Sequence, residues 1–131
     1  PPKAPLHEFH PVYIHPDDFE HWKKTGTFAD GTVFVAESVS VGAKKATSGN
    51  GYFMDEYVGL EVSTKDSTRF KDDPGHWAYF SFGETSPFAG VAEKHPVAQC
   101  NTCHRGNAED DFVFTQYYPV LRAARMMPDG R

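Results

Sequence analysis

Cys100 and Cys103 are the two cysteines of the chain, and with His104 they form the pattern C-N-T-C-H. Thiols at this spacing suit a redox disulfide, half of a zinc site, or covalent attachment of haem. A zinc site of this kind needs a second C-x-x-C, and a redox disulfide is expected in a thioredoxin-like βαβ pattern. The sequence has neither. It therefore favours one haem c, bound through Cys100 and Cys103, with His104 as an iron ligand.

The sixth position of the iron decides what such a haem does. Met54, Met126 and Met127 are candidate ligands, but their locations favour a core role for Met54 and a loose C-terminal tail for the other two. His95 precedes His104 by nine residues and is a further candidate, and its alternative is a structural or exposed histidine. A second ligand would make an electron carrier, whereas an open position would bind small molecules.

The sequence around the C-x-x-C-H pattern predicts both helices and strands. Acidic residues at the start, lysines at the end and a following glycine predict a helix over residues 16–24. β-Branched and aromatic runs bounded by turn residues predict strands over 31–41, 52–64 and 76–82. Helical character returns at the motif and over 108–125, with Pro119 as a break or kink. The prediction is one α+β domain over residues 1–131, a predominantly antiparallel sheet with a few flanking helices.

Composition narrows the function classes. A net charge of -5, with lysines grouped only in pairs, argues against nucleic-acid binding. No apolar run approaches the roughly 20 residues that cross a bilayer, so we expect no membrane span. The start at Pro1, without Met or an apolar targeting segment, suggests a mature form whose export signal has been removed.

The position of the motif separates the chain from two common haem proteins. Small electron-carrying cytochromes c place C-x-x-C-H near the N-terminus, whereas His104 lies close to the end of these 131 residues. The helical cytochromes c′ place it near the C-terminus but are four-helix bundles. Residues 31–82 are predicted mainly as strands, which does not suit that fold.

The chain resembles the cytochrome P-460 family, which includes the β-sheet-rich cytochromes c′-beta. The matching stretches are 12–16, 21–26, 30–33, 49–54, 57–61, 74–78, 100–104 and 112–122. The resemblance implies a mainly antiparallel β fold, often dimeric, and a five-coordinate resting haem. It also implies either hydroxylamine oxidation or nitric oxide binding.

One position departs from the hydroxylamine-oxidising members of that family. They carry a Lys in the strand after D-G-T-V, and this Lys cross-links to the haem rim, whereas Ala36 stands there in this chain. Alternate side chains of a strand share a face, so Phe34 faces the haem if position 36 does. Phe34 then caps the iron or is an ordinary core residue. The aromatic caps of cytochromes c′-beta favour the cap, which would admit a small apolar gas.

Other candidate residues are polar. Glu61 has the strand parity of Phe53 and Tyr57, and a carboxyl group buried among aromatic rings would have a raised pKa and act as a proton relay. Its alternative is a solvated or ion-paired carboxylate. The resemblance also brings His10 and His95 near the haem pocket. Arg105 is a candidate for a haem propionate or for the surface.

The expected function is a periplasmic mono-haem c-type cytochrome whose open iron site binds nitric oxide. The periplasm follows because bacteria complete this attachment outside the cytoplasm. The alternatives are a hydroxylamine-oxidising enzyme that uses Glu61 and passes electrons to a partner cytochrome, and a simple electron carrier. A homodimer is expected from the resemblance alone.

Overall fold

A computed structural model describes residues 8–47, 49–84 and 89–125, without the side chains of residues 44–46 and 50. Its strands are β1 Glu8–Phe9, β2 Val12–Ile14, β3 Val33–Ala46, β4 Gly49–Lys65 and β5 Trp77–Ser81, and its α-helices are α1 Pro16–Thr25, α2 Asn101–Asn107 and α3 Pro119–Arg125. The five strands form one antiparallel sheet in the order β1-β3-β4-β5, and β2 also pairs with β3. The predicted α+β class, with a mainly antiparallel sheet, is confirmed.

Helix α1 has the ends that its sequence predicts. The His15 side chain accepts a hydrogen bond from the Asp17 N–H at 3.1 Å, and Pro16 occupies the first turn, where its missing N–H costs nothing. Gly26 ends the helix at φ 69°, a left-handed conformation that suits glycine, and its N–H donates to the Trp22 carbonyl. The helix buries Trp22 completely.

Strands β3 and β4 form a hairpin longer than the sequence predicted. The predicted first strand stopped before Gly42, but β3 continues through Gly42 to Ala46. A side chain at Gly42 would lie 2.4 Å from the ring of Phe53, so glycine allows that ring to lie across the strand. Between Ser38 and Val41 the pairing contains register shifts, which change which face later residues of β4 occupy.

The segment after α2 corrects the prediction of helical character over residues 108–125. Only a single 3-10 turn, Thr115–Tyr117, precedes α3 there. Asp111 and Phe112 have φ of 44° and 63°, values that a right-handed helix cannot contain. Pro119 begins α3 rather than breaking it, because proline is tolerated in a first helical turn.

The core lies between the sheet and the two outer helices α1 and α3. Trp22 stacks on Phe28 with ring centroids 4.6 Å apart, and its indole N–H donates to the Leu121 carbonyl at 2.8 Å. The other buried members of this cluster are Phe34, Trp77, Tyr79 and Ala124. Within the described ranges, no helix is long and apolar enough to cross a membrane.

Candidate haem-binding site

A cavity of about 600 Å³ opens on the sheet side of α2. Its volume lies within the usual range for small-molecule and cofactor sites. Its apolar wall includes Ile14, Phe19, Phe34, Trp77 and Leu121, and its polar wall includes Glu61, Ser63, Ser81, Glu84 and His95. Helix α2 supplies His104, and Cys100, which directly precedes the helix, lies beside it.

Asn101 fixes α2 to the sheet. Its side chain is only 2% exposed, and its amide donates to the carbonyls of Trp77 at 2.7 Å and Pro74 at 3.4 Å. The residue occupies a variable position of the C-x-x-C-H pattern, and sequence reasoning missed it because the pattern gives that position no role. The structural signal is a buried amide whose donors face main-chain acceptors.

Two of the three C-x-x-C-H residues line the cavity, and the third does not. Cys100 and His104 are four residues apart, so α2 brings them to one face, and both line the cavity. Cys103 is exposed and does not belong to the cavity lining. Burial is the main cause of a raised pKa of the Cys100 thiol, followed by the negative charges of Glu61 and of Cys103.

His104 is held in one tautomer. Its Nδ1 lies 2.7 Å from the carbonyl oxygen of Phe112, and because a carbonyl only accepts, Nδ1 carries the proton. Nε2 then keeps its lone pair, the state in which an imidazole binds iron. The ring packs against Tyr79 at 4.5 Å and Phe114 at 4.8 Å between centroids, which restricts its rotation.

Phe34 and Ala36 project from β3 into the same cavity wall. Phe34 is 7% exposed and contacts the rings of Phe28 and Trp77, so it belongs to the core and to the cavity lining together. The sequence had offered an iron cap and an ordinary core residue as alternatives; Phe34 lies in the core, and its role as a cap stays a prediction. Ala36 is half-buried and pairs with Glu61 across the β3–β4 ladder.

Glu61 lines the cavity but is exposed, so it lies where the cavity meets solvent. Its predicted surroundings are wrong. Phe53 and Tyr57 are 43% and 59% exposed and do not line the cavity. A register shift between Tyr57 and Glu61 breaks the alternation along β4, and Phe53 lies further out along the hairpin, opposite Gly42. The partners of Glu61 in the sheet are Ala36 and Ser81.

Of the two candidate histidines, one lines the cavity and the other lies on the surface away from it. His95 is half-buried, lines the cavity, and donates its backbone N–H to the Tyr79 carbonyl at 2.8 Å. His10 is exposed, with Nε2 2.9 Å from the Glu8 carboxylate, and it does not line the cavity. The resemblance had suggested that His10 approaches the pocket, and this structure does not place it there.

The remaining candidates lie away from the cavity. Met54 is 55% exposed on the outer part of the hairpin, and Arg105 is exposed on α2. Met126 and Met127 lie outside the described residues. The structure therefore brings neither Met54 nor Arg105 to the candidate iron site.

Tyr79 is a lining residue that sequence reasoning missed. Its hydroxyl is buried and has no hydrogen-bond partner among the described residues, and burial raises the pKa of this phenol. Buried polar groups are nearly always paired, so this hydroxyl is a candidate hydrogen-bonding group for a cofactor in the cavity. Together with an imidazole, a thiol and an apolar wall, it fits a haem.

A cavity beside an antiparallel sheet, with Cys100 and His104 of the C-x-x-C-H pattern in its wall and Cys103 outside it, is the arrangement expected of a haem protein with a mainly antiparallel fold. The family model for cytochrome P-460 matches residues 2–115, most of the chain. The chain therefore belongs to the cytochrome P-460 family, and this membership implies a haem cofactor. No curated protein matches the chain.

Proposed function

We propose that residues 1–131 are a single-domain, mono-haem c-type cytochrome with an open iron site that binds nitric oxide. Cys100 and Cys103 would hold the porphyrin through thioether bonds, and His104 Nε2 would bind the iron. The observation that carries this proposal is the hydrogen bond from His104 Nδ1 to the Phe112 carbonyl, which leaves only Nε2 free to act as a ligand.

The character of the cavity supports a small apolar ligand. The buried ring of Phe34 forms part of its apolar wall, and such a surface beside the iron disfavours water and ions. Met54 is exposed and does not line the cavity. Nitric oxide, a small neutral molecule, suits a site bounded in this way.

Two alternatives keep specific support. Glu61 lines the cavity and would accept protons during hydroxylamine oxidation, with electrons passing to a partner cytochrome, although Ala36 cannot form the cross-link of the oxidising members. His95 also lines the cavity and would make an electron carrier if it bound the iron. The measurements below separate all three functions.

Location and assembly form part of the same proposal. Covalent haem attachment at two thiols is completed outside the cytoplasm in bacteria, which favours the periplasm. The family resemblance favours a homodimer. Recovery of mature protein in a periplasmic extract tests the location. Sedimentation of the haem-loaded protein tests whether it is a homodimer.

The deciding experiment is mass spectrometry combined with absorption spectra of the reduced protein. We expect an intact mass equal to the chain plus one haem joined by two thioethers, and a reduced spectrum that changes when nitric oxide is added. A six-coordinate reduced iron whose spectrum does not change on addition of nitric oxide would contradict the gas-binding proposal and favour the electron carrier. Sustained hydroxylamine turnover with an added electron acceptor would favour the enzyme.

A further inference from the structure

The Phe112 carbonyl that accepts the hydrogen bond from His104 lies in a turn whose residues are unusual for its backbone conformation. The Val113 N–H donates to the Asp110 carbonyl at 2.8 Å, so Asp111 and Phe112 are the central residues of a four-residue turn. Both have positive φ, 44° and 63°, as in a type I′ turn. Aspartate suits the first of these positions, but the second normally takes glycine, and phenylalanine there is strained.

The contacts of Asp111 oppose this strain. Its carboxylate accepts hydrogen bonds from Lys65 Nζ at 2.6 Å and from the indole N–H of Trp77 at 3.3 Å. Lys65 donates as well to the Phe28 carbonyl at 3.1 Å. The side chains of Lys65 and Asp111 are 19% and 22% exposed, so this ion pair is largely shielded from solvent.

The other side of the turn is held as well. Asp110 accepts from the buried hydroxyl of Thr115 at 2.6 Å and from Arg125 at 2.8 Å. The Phe112 ring lies where a side chain on Gly75 would be, 2.4 Å from that Cβ position, so glycine there leaves room for the ring. The direction of the Phe112 carbonyl is therefore held by the contacts of Asp110 and Asp111, neither of which lines the cavity.

The geometry points to Asp111 as a positioning residue for the iron ligand. Through Lys65 and Trp77 it holds the strained turn, the turn aims the Phe112 carbonyl, and that carbonyl fixes the plane and the electron donation of the His104 imidazole. Neither Asp111 nor Lys65 lines the cavity, so the effect is indirect. This inference rests on the proposed ligation of iron by His104.

The chemical consequence concerns the strength of the iron–imidazole bond. A short hydrogen bond from Nδ1–H makes the imidazole a stronger donor, which strengthens the bond to iron and stabilises the oxidised state. Loosening the turn would lengthen this hydrogen bond. The iron–histidine stretching frequency would then fall and the reduction potential would rise.

The test compares Asp111→Asn and Lys65→Met with the wild type, all loaded with haem. Asparagine keeps the shape and tolerates positive φ, so Asp111→Asn removes the ion pair while leaving the turn favourable. We expect both variants to lower the iron–histidine frequency in resonance Raman spectra of the reduced protein and to raise the potential. Lys65→Arg keeps the positive charge, so its iron–histidine frequency and reduction potential should stay close to those of the wild type.

Lys23→Met is the matched control, since Lys23 is 23% exposed and forms an ion pair with Glu20 at 2.9 Å on α1. It should leave both signals unchanged. Wild-type signals in Asp111→Asn and Lys65→Met would overturn the positioning role. A wild type whose intact mass shows no haem, or whose reduced spectrum lacks an iron–histidine band, would instead overturn the proposed ligation.

Discussion

Replacing Asn101 with alanine should loosen the attachment of the haem motif to the sheet. The substitution removes the amide that donates to the carbonyls of Trp77 and Pro74 at a site 2% exposed. Leaving buried acceptors unpaired costs about 1–3 kcal/mol. The space left by the amide adds roughly 1 kcal/mol. We expect the free energy of unfolding to fall by about 2–4 kcal/mol.

The measurement is urea unfolding of the haem-loaded protein, followed by tryptophan fluorescence, with Thr102→Ala as the control. Thr102 is the next residue of α2 and is exposed, with its hydroxyl 3.2 Å from the Val97 carbonyl. Its loss should change the free energy of unfolding by no more than about 0.5 kcal/mol. If the two variants were equally stable, the buried amide would not anchor α2.

Asn101→Asp separates the hydrogen bond from the space, because the two side chains are nearly the same size. Its carboxylate would face carbonyl oxygens, so this variant should be less stable at neutral pH than Asn101→Ala. Burial raises the pKa of the new carboxyl in the folded state, and the protonated group can donate again. The stability of this variant relative to the wild type should therefore recover as the pH falls, whereas a solvated carboxylate, whose pKa is the same in the folded and unfolded states, would give no such dependence.

Three further predictions concern separate positions. Ala36→Lys, treated with an added oxidant that takes up the hydrogens released, should form a third covalent bond to the haem, so its intact mass should lie below that of the substituted chain with a haem held by two thioethers alone. A mass equal to that of the doubly linked form would mean that position 36 does not face the haem rim. Gly75→Ala should lower the free energy of unfolding by about 2–4 kcal/mol, because φ is +64° and the new methyl overlaps the Phe112 ring. The pKa of Asp30 is lowered by hydrogen bonds from the N–H and hydroxyl of Ser67, so its stabilisation exists above the unfolded pKa of about 3.9 and disappears as the pH falls. Asp30→Asn should therefore be less stable than the wild type at neutral pH and approach it in acid urea titrations.

Patterns with a local cause were readable from the sequence. The caps of α1 depend on neighbouring residues, and the β-branched runs of β3 and β4 follow the two-residue period of a strand. The C-x-x-C-H spacing is likewise local. These features predicted the fold class and the helix that carries His104.

Features with a distant cause were not readable. Tyr57 was expected on the face of Glu61, but the register shift at Ser38 and Val39 intervenes, and such a shift depends on the partner strand. The pKa of Tyr57 is raised chiefly by the charge of Glu37, which shows that it lies beside that residue. A single strand sequence contains no such information.

The helix predicted over the turn at Asp111 and Phe112 was wrong for a related reason. Its sequence lacks the glycine that usually marks positive φ, and the contacts that hold it come from Lys65 and Trp77, far away along the chain. Local propensity therefore favoured a helix, and tertiary contacts decided otherwise.

The hydrogen bond between the Trp22 indole and the Leu121 carbonyl joins residues 99 positions apart. Contacts of such long range require the intervening chain to be brought together first, at a cost in conformational entropy. A chain that is synthesised or exported from its N-terminus delivers Cys100, Cys103 and His104 before Leu121 arrives. On the proposed covalent attachment of haem, the two thiols would become available before α3 packs against Trp22 and closes the core.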